Sequence, residues 1–322
     1  MTKETNNMIT KEKNRGIDNG IGSAYSIISM MLIVCTCAFL LIVTLYYGAG
    51  TISLRFLTTE PDSSALGAAA GGILTPIIGT CILTLTGIVI AFPFALATAI
   101  YLCFYSKNGL FKNLVNSAID ILSGVPTIVI ALFALAIFTQ PYFSFLSTSI
   151  INADGTAGMA FGKSFLVCGI TMATMILPFV AKSMEEALKS VPQSYIDGSM
   201  ALGATRWQTI SKVVLSCARD GLITGTILGM GRIVGDTAIV WLTLGGTLRM
   251  TGNQPWYAVG NWLSTLQNTG CTLTSYIFYT SPAGEGNQLD VAFGASLVLV
   301  VIIIILNLAT NFIGTLGGRR NG

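Results

Sequence analysis

Six long apolar runs, each fenced by polar residues, set the pattern of this chain, covering about residues 24–47, 73–105, 114–139, 164–182, 217–247 and 291–313. A helix needs roughly 20 apolar residues to cross a hydrocarbon layer about 30 Å thick, and each run reaches or nears that length. The pattern predicts an all-α membrane protein with six transmembrane helices. The second run exceeds a crossing and contains Pro76 and Pro93, which predicts tilt or a kink. In the third, "DILSGVPTIVIALF" places Asp120 near one end, followed by Gly124 and Pro126. Gly and Pro free backbone groups, and a membrane tolerates this where the helix lines a cavity or is covered by protein. The residues fit a kink in a pathway and equally an ordinary helix bend.

The fifth run carries the strongest chemistry. In "GLITGTILGMGRIVGDTAIVWLTLGG", Gly221, Gly225 and Gly229 recur every four residues, and Gly231 and Gly235 repeat the spacing. Small residues on one face let a neighbouring helix approach closely. Arg232 and Asp236 are four residues apart, which predicts that both project from one face and are able to pair. A charge at mid-bilayer costs roughly 2.5–3.5 kcal/mol, so the pair is expected to face a protein interior or a wet pathway. Arg232 then supplies a positive site for an anion in transit, restrained by Asp236. The competing reading is a structural ion pair locking two helices.

Between the fourth and fifth runs lies a polar stretch, Ser183 to Asp220. Its amphipathic patterning, its start at Pro192 and a glycine turn at Gly203 predict short helices lying on a membrane face, a shape suited to docking a soluble partner. Six crossings put both termini on one side, and the basic residues choose that side. Lys3, Lys11, Lys13 and Arg15, Lys107 and Lys112, Lys182, Lys189, Arg206, Lys212 and Arg219, and Arg319 and Arg320 make thirteen of seventeen. The positive-inside rule makes that face cytoplasmic, giving a cytoplasmic N-tail (1–23), docking loop (183–220) and C-tail (314–322). The other face has Arg55, Lys163 and Arg249 among the acids Glu60, Asp62, Asp154, Glu285 and Asp290. Its long last segment, 248–290, is either a surface for an extracytoplasmic partner or a solvated connector.

Composition excludes other classes. Charged residues are 10% of the 322, hydrophobic residues 52%, and mean hydropathy is +0.73, values foreign to a soluble domain. A net charge of +3 is too small to argue for nucleic acid, and the absence of His removes His-based acid/base chemistry and His-ligated metals. The seven cysteines (Cys35, Cys37, Cys81, Cys103, Cys168, Cys217, Cys271) show no Cys-x-x-Cys spacing and are expected to be small buried hydrophobes. "AGMAFGKS", Ala157 to Ser164, fits a relaxed phosphate-loop pattern but stands before a membrane span rather than inside a nucleotide-binding domain. The chain is therefore not expected to bind ATP. The first apolar run is longer than the core of a cleaved signal and is expected to remain as a span.

The polar stretch resembles the "EAA" coupling motif of bacterial ABC-importer permeases. Asp197, Gly198 and Ser199 stand at the acidic-small-small positions, Gly203 at the glycine, and Val213, Leu215 and Ser216 at the end. "ALGATRWQTI" (Ala201–Ile210) is close to the family pattern, whereas Asp replaces Glu, Gly-Ser replaces Ala-Ala and Ser replaces Pro. Three further stretches are similar to the PstA-type permease of phosphate importers: "GGILTPIIGT" (Gly71–Thr80), "LSGVPTIV" (Leu122–Val129) and "GRIVGDTA" (Gly231–Ala238), the last with Asp236 where that subfamily usually has Glu. The resemblance implies an ABC type I importer permease, a multi-pass protein of the bacterial cell membrane. It would have a first helix and outward loop (24–70) before a permease domain (71–313). The implied partners are a PstC-type sister permease, an ATPase dimer carrying ATP and Mg, an extracytoplasmic phosphate-binding protein and membrane lipid. No cofactor, metal or nucleic acid is implied for this chain. The implied coupling surface is Asp197, Gly198, Ser199, Ala201, Leu202, Gly203, Ala204, Arg206 and Trp207, with Leu202 and Trp207 as anchors. The rival readings are a PstC-type permease, a permease for another oxyanion, and a scaffold or sensor-complex component. A membrane enzyme is disfavoured because Arg232, Asp236 and Asp120 make a poor catalytic set.

Overall fold

The computed structural model describes residues 2–61, 71–106, 109–151, 157–248, 250–284 and 286–318. Lys107, Asp62, Asp154, Arg249, Glu285, Arg319 and Arg320, used above to assign sidedness, lie outside the described residues. Among the described residues the regular structure is helical apart from one antiparallel strand pair. The first span belongs to α1 (Thr2–Gly48), and a short α2 (Leu54–Thr58) leads to α3 (Leu74–Ile100), which ends in a π-helical turn at Tyr101–Tyr105. Then come α4 (Leu110–Gly124), α5 (Thr127–Phe138), strands β1 (Ser149–Ile151) and β2 (Ala157–Ala160), and α6 (Phe165–Lys189). The polar stretch forms α7 (Gln193–Ala201), α8 (Arg206–Thr209), a second π-helical turn (Ile210–Val214) and α9 (Leu215–Cys217). The remainder is α10 (Arg219–Gly235), α11 (Ala238–Thr243), α12 (Trp262–Gln267), α13 (Leu273–Thr280) and α14 (Leu289–Gly318).

Among the described residues, four segments are long and apolar enough to cross a membrane: Gly22–Gly48, Leu74–Tyr105, Phe165–Lys189 and Leu289–Ala309. Two bent helix pairs, Leu110–Gly124 with Thr127–Phe138 at 102° and Arg206–Cys217 with Arg219–Gly235 at 69°, bring the candidates to six when each pair counts as one span. The first bend and the end of α10 correct the sequence reading. The third run is no straight or gently bent helix, because Val125 before Pro126 is extended (φ −73°, ψ 129°) and Pro126 opens a new helix instead of continuing the old one. The fifth run stops at Gly235 rather than near residue 247, with Asp236 extended at φ −83°, ψ 129°. Pro93, by contrast, stays inside α3.

The core is built where α3, α6 and α10 meet on small residues. A Cβ added at Gly221, Gly225 or Gly229 would lie 2.6 Å from Ala187 Cβ, 2.5 Å from Ser183 Oγ and 2.7 Å from Val180 Cγ2 respectively, a ladder descending α6. Gly87 of α3 meets Ile233 of α10, and Gly169 of α6 meets Thr86 of α3, at similar closeness. These contacts are the close approach that the every-fourth glycine spacing predicts. Gly231 and Gly235 share the spacing but have nothing within 4 Å of the added atom. Buried Thr80, Thr84, Thr171 and Thr243 donate to the carbonyl four residues back, so their hydroxyls cost little in an apolar core.

Successive spans alternate in direction. Gly79 near the start of α3 lies beside Phe165, and Cys103 Sγ near its end is 3.7 Å from Glu185 O, so α3 and α6 run together. The Gly–α6 ladder makes α10 antiparallel to them. At the far end Tyr47 of α1 stacks on Phe293 of α14, with centroids 5.2 Å apart. The segment 190–218 therefore sits at the end of the bundle where α1 enters and α14 leaves. The last connector is not simply solvated: Cys271 to Tyr276 are buried, and Leu273 N donates to Thr80 Oγ1 at 2.9 Å. Burial pushes the Cys271 thiol up to about 12, which keeps it protonated and inert. Of the seven cysteines only Cys168 and Cys271 are buried; Cys103 is half-buried, and Cys35, Cys37, Cys81 and Cys217 lie on helix surfaces.

Candidate functional site

The 102° turn at Val125–Pro126 folds α5 back so that the break, α6 and α10 surround one cavity of about 200 Å³. Ile119, Ser123, Val125 and Thr127 line it from the break, Phe179 and Lys182 from α6, and Arg232 from α10. The Arg232 guanidinium carbon stands 5.7 Å from the Phe179 ring centroid, a cation over an aromatic face. Lys182 Nζ is 3.3 Å from Asp120 Oδ1, with side-chain exposures of 45% and 67%. Two cations on a largely apolar wall make a local field that favours an anion.

The pairing of Arg232 with Asp236 does not form. No carboxylate lies within ion-pair distance of Arg232 among the described residues. Asp236 Oδ1 instead accepts from Ile239 N at 2.8 Å, and its carbonyl accepts from Thr274 Oγ1 at 3.1 Å. The i,i+4 geometry that the spacing implied requires a continuous helix, and α10 ends one residue earlier. Asp236 is a joint between α10, α11 and α13. Arg232 instead lines the cavity with Ser123, Val125 and Thr127 of the break; Gly124 and Pro126 shape that break without lining the cavity, and Asp120 reaches it only through its ion pair with Lys182. Lys182, counted in the sequence only as a loop lysine, joins them; its signal was the three-residue spacing from Phe179, which puts both on one helix face.

At the end of the bundle the polar stretch makes a compact surface. Pro192 opens α7, and α7 closes in a Schellman turn: Gly203 N donates to Met200 O at 3.0 Å and Ala204 N to Ser199 O at 3.3 Å. Gly203 has φ +86° with open space around its missing side chain, so backbone conformation and not crowding demands glycine there. Thr205 and Gln208 then form a reciprocal capping box that starts α8. Ser199 Oγ and Thr209 Oγ1, 3.0 Å apart, tie α7 to α8, and Gln193 Nε2 donates to Asp197 Oδ1 at 3.0 Å. Asp197, Gly198, Ala201 and Arg206 are exposed, whereas Ser199 and Ala204 are half-buried. Leu202 is 91% exposed and Trp207 58%, two large apolar groups standing out of a polar surface. Ile210 and Val214 anchor the stretch in the core from beneath. The stretch runs through α9 into α10, so the surface is linked by continuous backbone to Arg232.

The phosphate-loop lookalike sits at the opposite end of the bundle. Its first half, Ala157–Ala160, is itself β2 and α6 follows, but Ser164 is fully buried, accepts from Val167 N at 3.1 Å and donates to Leu146 O at 2.6 Å. Its hydroxyl caps the helix.

A family model described as "Binding-protein-dependent transport system inner membrane component" matches residues 87–321. The chain is 28% identical over 272 residues to the probable ABC transporter permease protein YqgI of Bacillus subtilis, covering 84% of this chain and 85% of that protein. It is 28% identical over 279 residues to the phosphate transport system permease protein PstC 2 of Mycobacterium tuberculosis, covering 83% and 81%. Over 251 residues it is 28% identical to PstA 1 of the same organism, covering 78% and 72%. Among solved structures, a bacterial alginate ABC transporter in complex with an alginate-bound periplasmic protein is similar in fold, with TM-score 0.58 and 16% identity over 89% of this chain and 93% of that one. The methionine ABC transporter MetNI, inward facing, gives TM-score 0.53 at 19% identity over 76% and 94%.

Proposed function

Since the chain belongs to the family of binding-protein-dependent transport system inner membrane components, and is thus a permease component of an ABC importer, we propose that it serves an ATP-driven phosphate importer as the PstA-type subunit. The observation that carries the anion reading is the cavity in which Arg232 and Lys182 meet the break at Gly124–Pro126. Relatives named as phosphate permeases support the substrate, and the three PstA-like stretches support the subunit type over the PstC type.

In this reading the pathway is shared with a PstC-type sister permease, and an extracytoplasmic phosphate-binding protein delivers the anion. An ATPase pair, carrying ATP and Mg, docks on the α7–α8 surface with Leu202 and Trp207 as anchors and Arg206 at the rim. Closure of the ATPases pushes α7 and α8, and the continuous backbone through α9 passes that motion to α10 and Arg232. The basic end of the bundle faces the cytoplasm, with both termini there. Arg232 offers attraction without a bound carboxylate, and a pathway needs release as much as capture.

The test is labelled-phosphate uptake by the reconstituted complex, with sulfate and molybdate as competitors. ATP-dependent phosphate accumulation that resists both anions is expected, and Arg232→Ala is expected to abolish it while the complex still co-purifies. Loss of assembly in that variant would mean that Arg232 holds the fold together instead; uptake of another anion would sink the phosphate reading.

A further inference from the structure

We propose that Asp120 is the release residue of this pathway: its carboxylate holds Lys182 and competes with the transported anion for that ammonium group. The proposal rests on the reading of the cavity as an anion path. The two cations of the cavity are differently placed. Val180 lies against Gly229 and Ser183 against Gly225, so along the antiparallel α6 and α10 Lys182 stands nearer the α7–α8 end than Arg232 does. Counting along α6 from the level of Arg232, the offset is roughly 7–8 Å at about 1.5 Å per residue. An anion moving toward the α7–α8 end therefore meets Arg232 first and Lys182 second.

Their partners differ as well. Arg232 rests over the Phe179 ring with no carboxylate of the described residues in ion-pair range, whereas Lys182 holds Asp120 at 3.3 Å. An anion can thus be taken up by Arg232 directly, but must compete with the Asp120 carboxylate for the Lys182 ammonium. That carboxylate then stands beside the anion as a like charge and favours its departure. The exchange is feasible because the pair is half to two-thirds exposed, and exposed ion pairs are weak. Asp120 lies on α4 just before the break and Lys182 on α6, so the pair also spans two elements that a bend at Val125–Pro126 can move apart.

The test uses the full complex in proteoliposomes and reads the concentration of inorganic phosphate, presented on the ATPase face, that halves phosphate transport. Asp120→Asn is expected to lower that concentration roughly two- to five-fold, the range an exposed ion pair commands, because Lys182 then retains the anion. Asp120→Glu is expected to stay near the unsubstituted value, and Asp120→Asn combined with Lys182→Gln to match Lys182→Gln alone. An unchanged or raised value in Asp120→Asn would overturn the proposal while leaving the phosphate reading intact. So would restoration of the unsubstituted value by the swap of Asp120→Lys with Lys182→Asp. That swap rebuilds the tie between α4 and α6 but moves the ammonium off the cavity lining, so its success would mean that the pair is only a pin. An unsubstituted complex that moves no phosphate would sink the phosphate reading first, and this proposal with it.

Discussion

Replacing Gly225 and Gly231 separately by Ala tests the packing logic of the bundle, because the two glycines share a helix and a spacing but not an environment. At Gly225 the new Cβ would lie 2.5 Å from Ser183 Oγ and 3.0 Å from Ser183 Cβ, while at Gly231 nothing lies within 4 Å. Overpacking of this kind costs about 1–3 kcal/mol. Removing a helical glycine returns roughly 0.5–1 kcal/mol in either case. Gly225→Ala is therefore expected to lose up to about 2.5 kcal/mol net and Gly231→Ala to gain about 0.5–1 kcal/mol. Reversible unfolding of the isolated chain in detergent or bicelles reads both, with no partner covering Gly231. Equal destabilisation by the two substitutions, or a gain at Gly225, would refute the assignment of Gly221, Gly225 and Gly229 to the face against α6.

Asp236→Asn keeps an acceptor for Ile239 N and is expected to retain both stability and assembly, whereas Asp236→Ala loses about 0.5–1.5 kcal/mol in the same unfolding measurement; equal losses would restore the idea that its charge pairs with Arg232. Trp207→Ala is expected to weaken capture of the ATPase by at least ten-fold in a pull-down titration while leaving the chain's own unfolding unchanged, since the ring is more than half exposed. Undiminished capture would remove Trp207 from the docking surface.

How far the sequence reached differs from element to element. The six apolar runs determined the membrane class and where the candidate crossings lie, because crossing length and the need to satisfy backbone groups internally are properties of local composition. Pro192 and Gly203 marked the start and end of α7, since helix boundaries are local in chain. The glycine spacing in the fifth run announced a close contact but could not say with which helix, nor that Gly231 and Gly235 would stay open. Three outcomes were settled only by tertiary structure. Asp236 turned away from Arg232 because its carboxylate found Ile239 N where the helix stopped, a competition that the i,i+4 spacing does not contain. The Gly124–Pro126 stretch became a 102° corner rather than a gentle kink because α6 and α11 supply a surface for α5 to fold against. Lys182 lines one cavity with Arg232 and pairs with Asp120, although Asp120 and Arg232 stand 112 positions apart in the chain. Local residues decide where a helix begins, ends and enters a membrane; which side chains share a cavity depends on how those helices pack, and no single stretch of the chain encodes that.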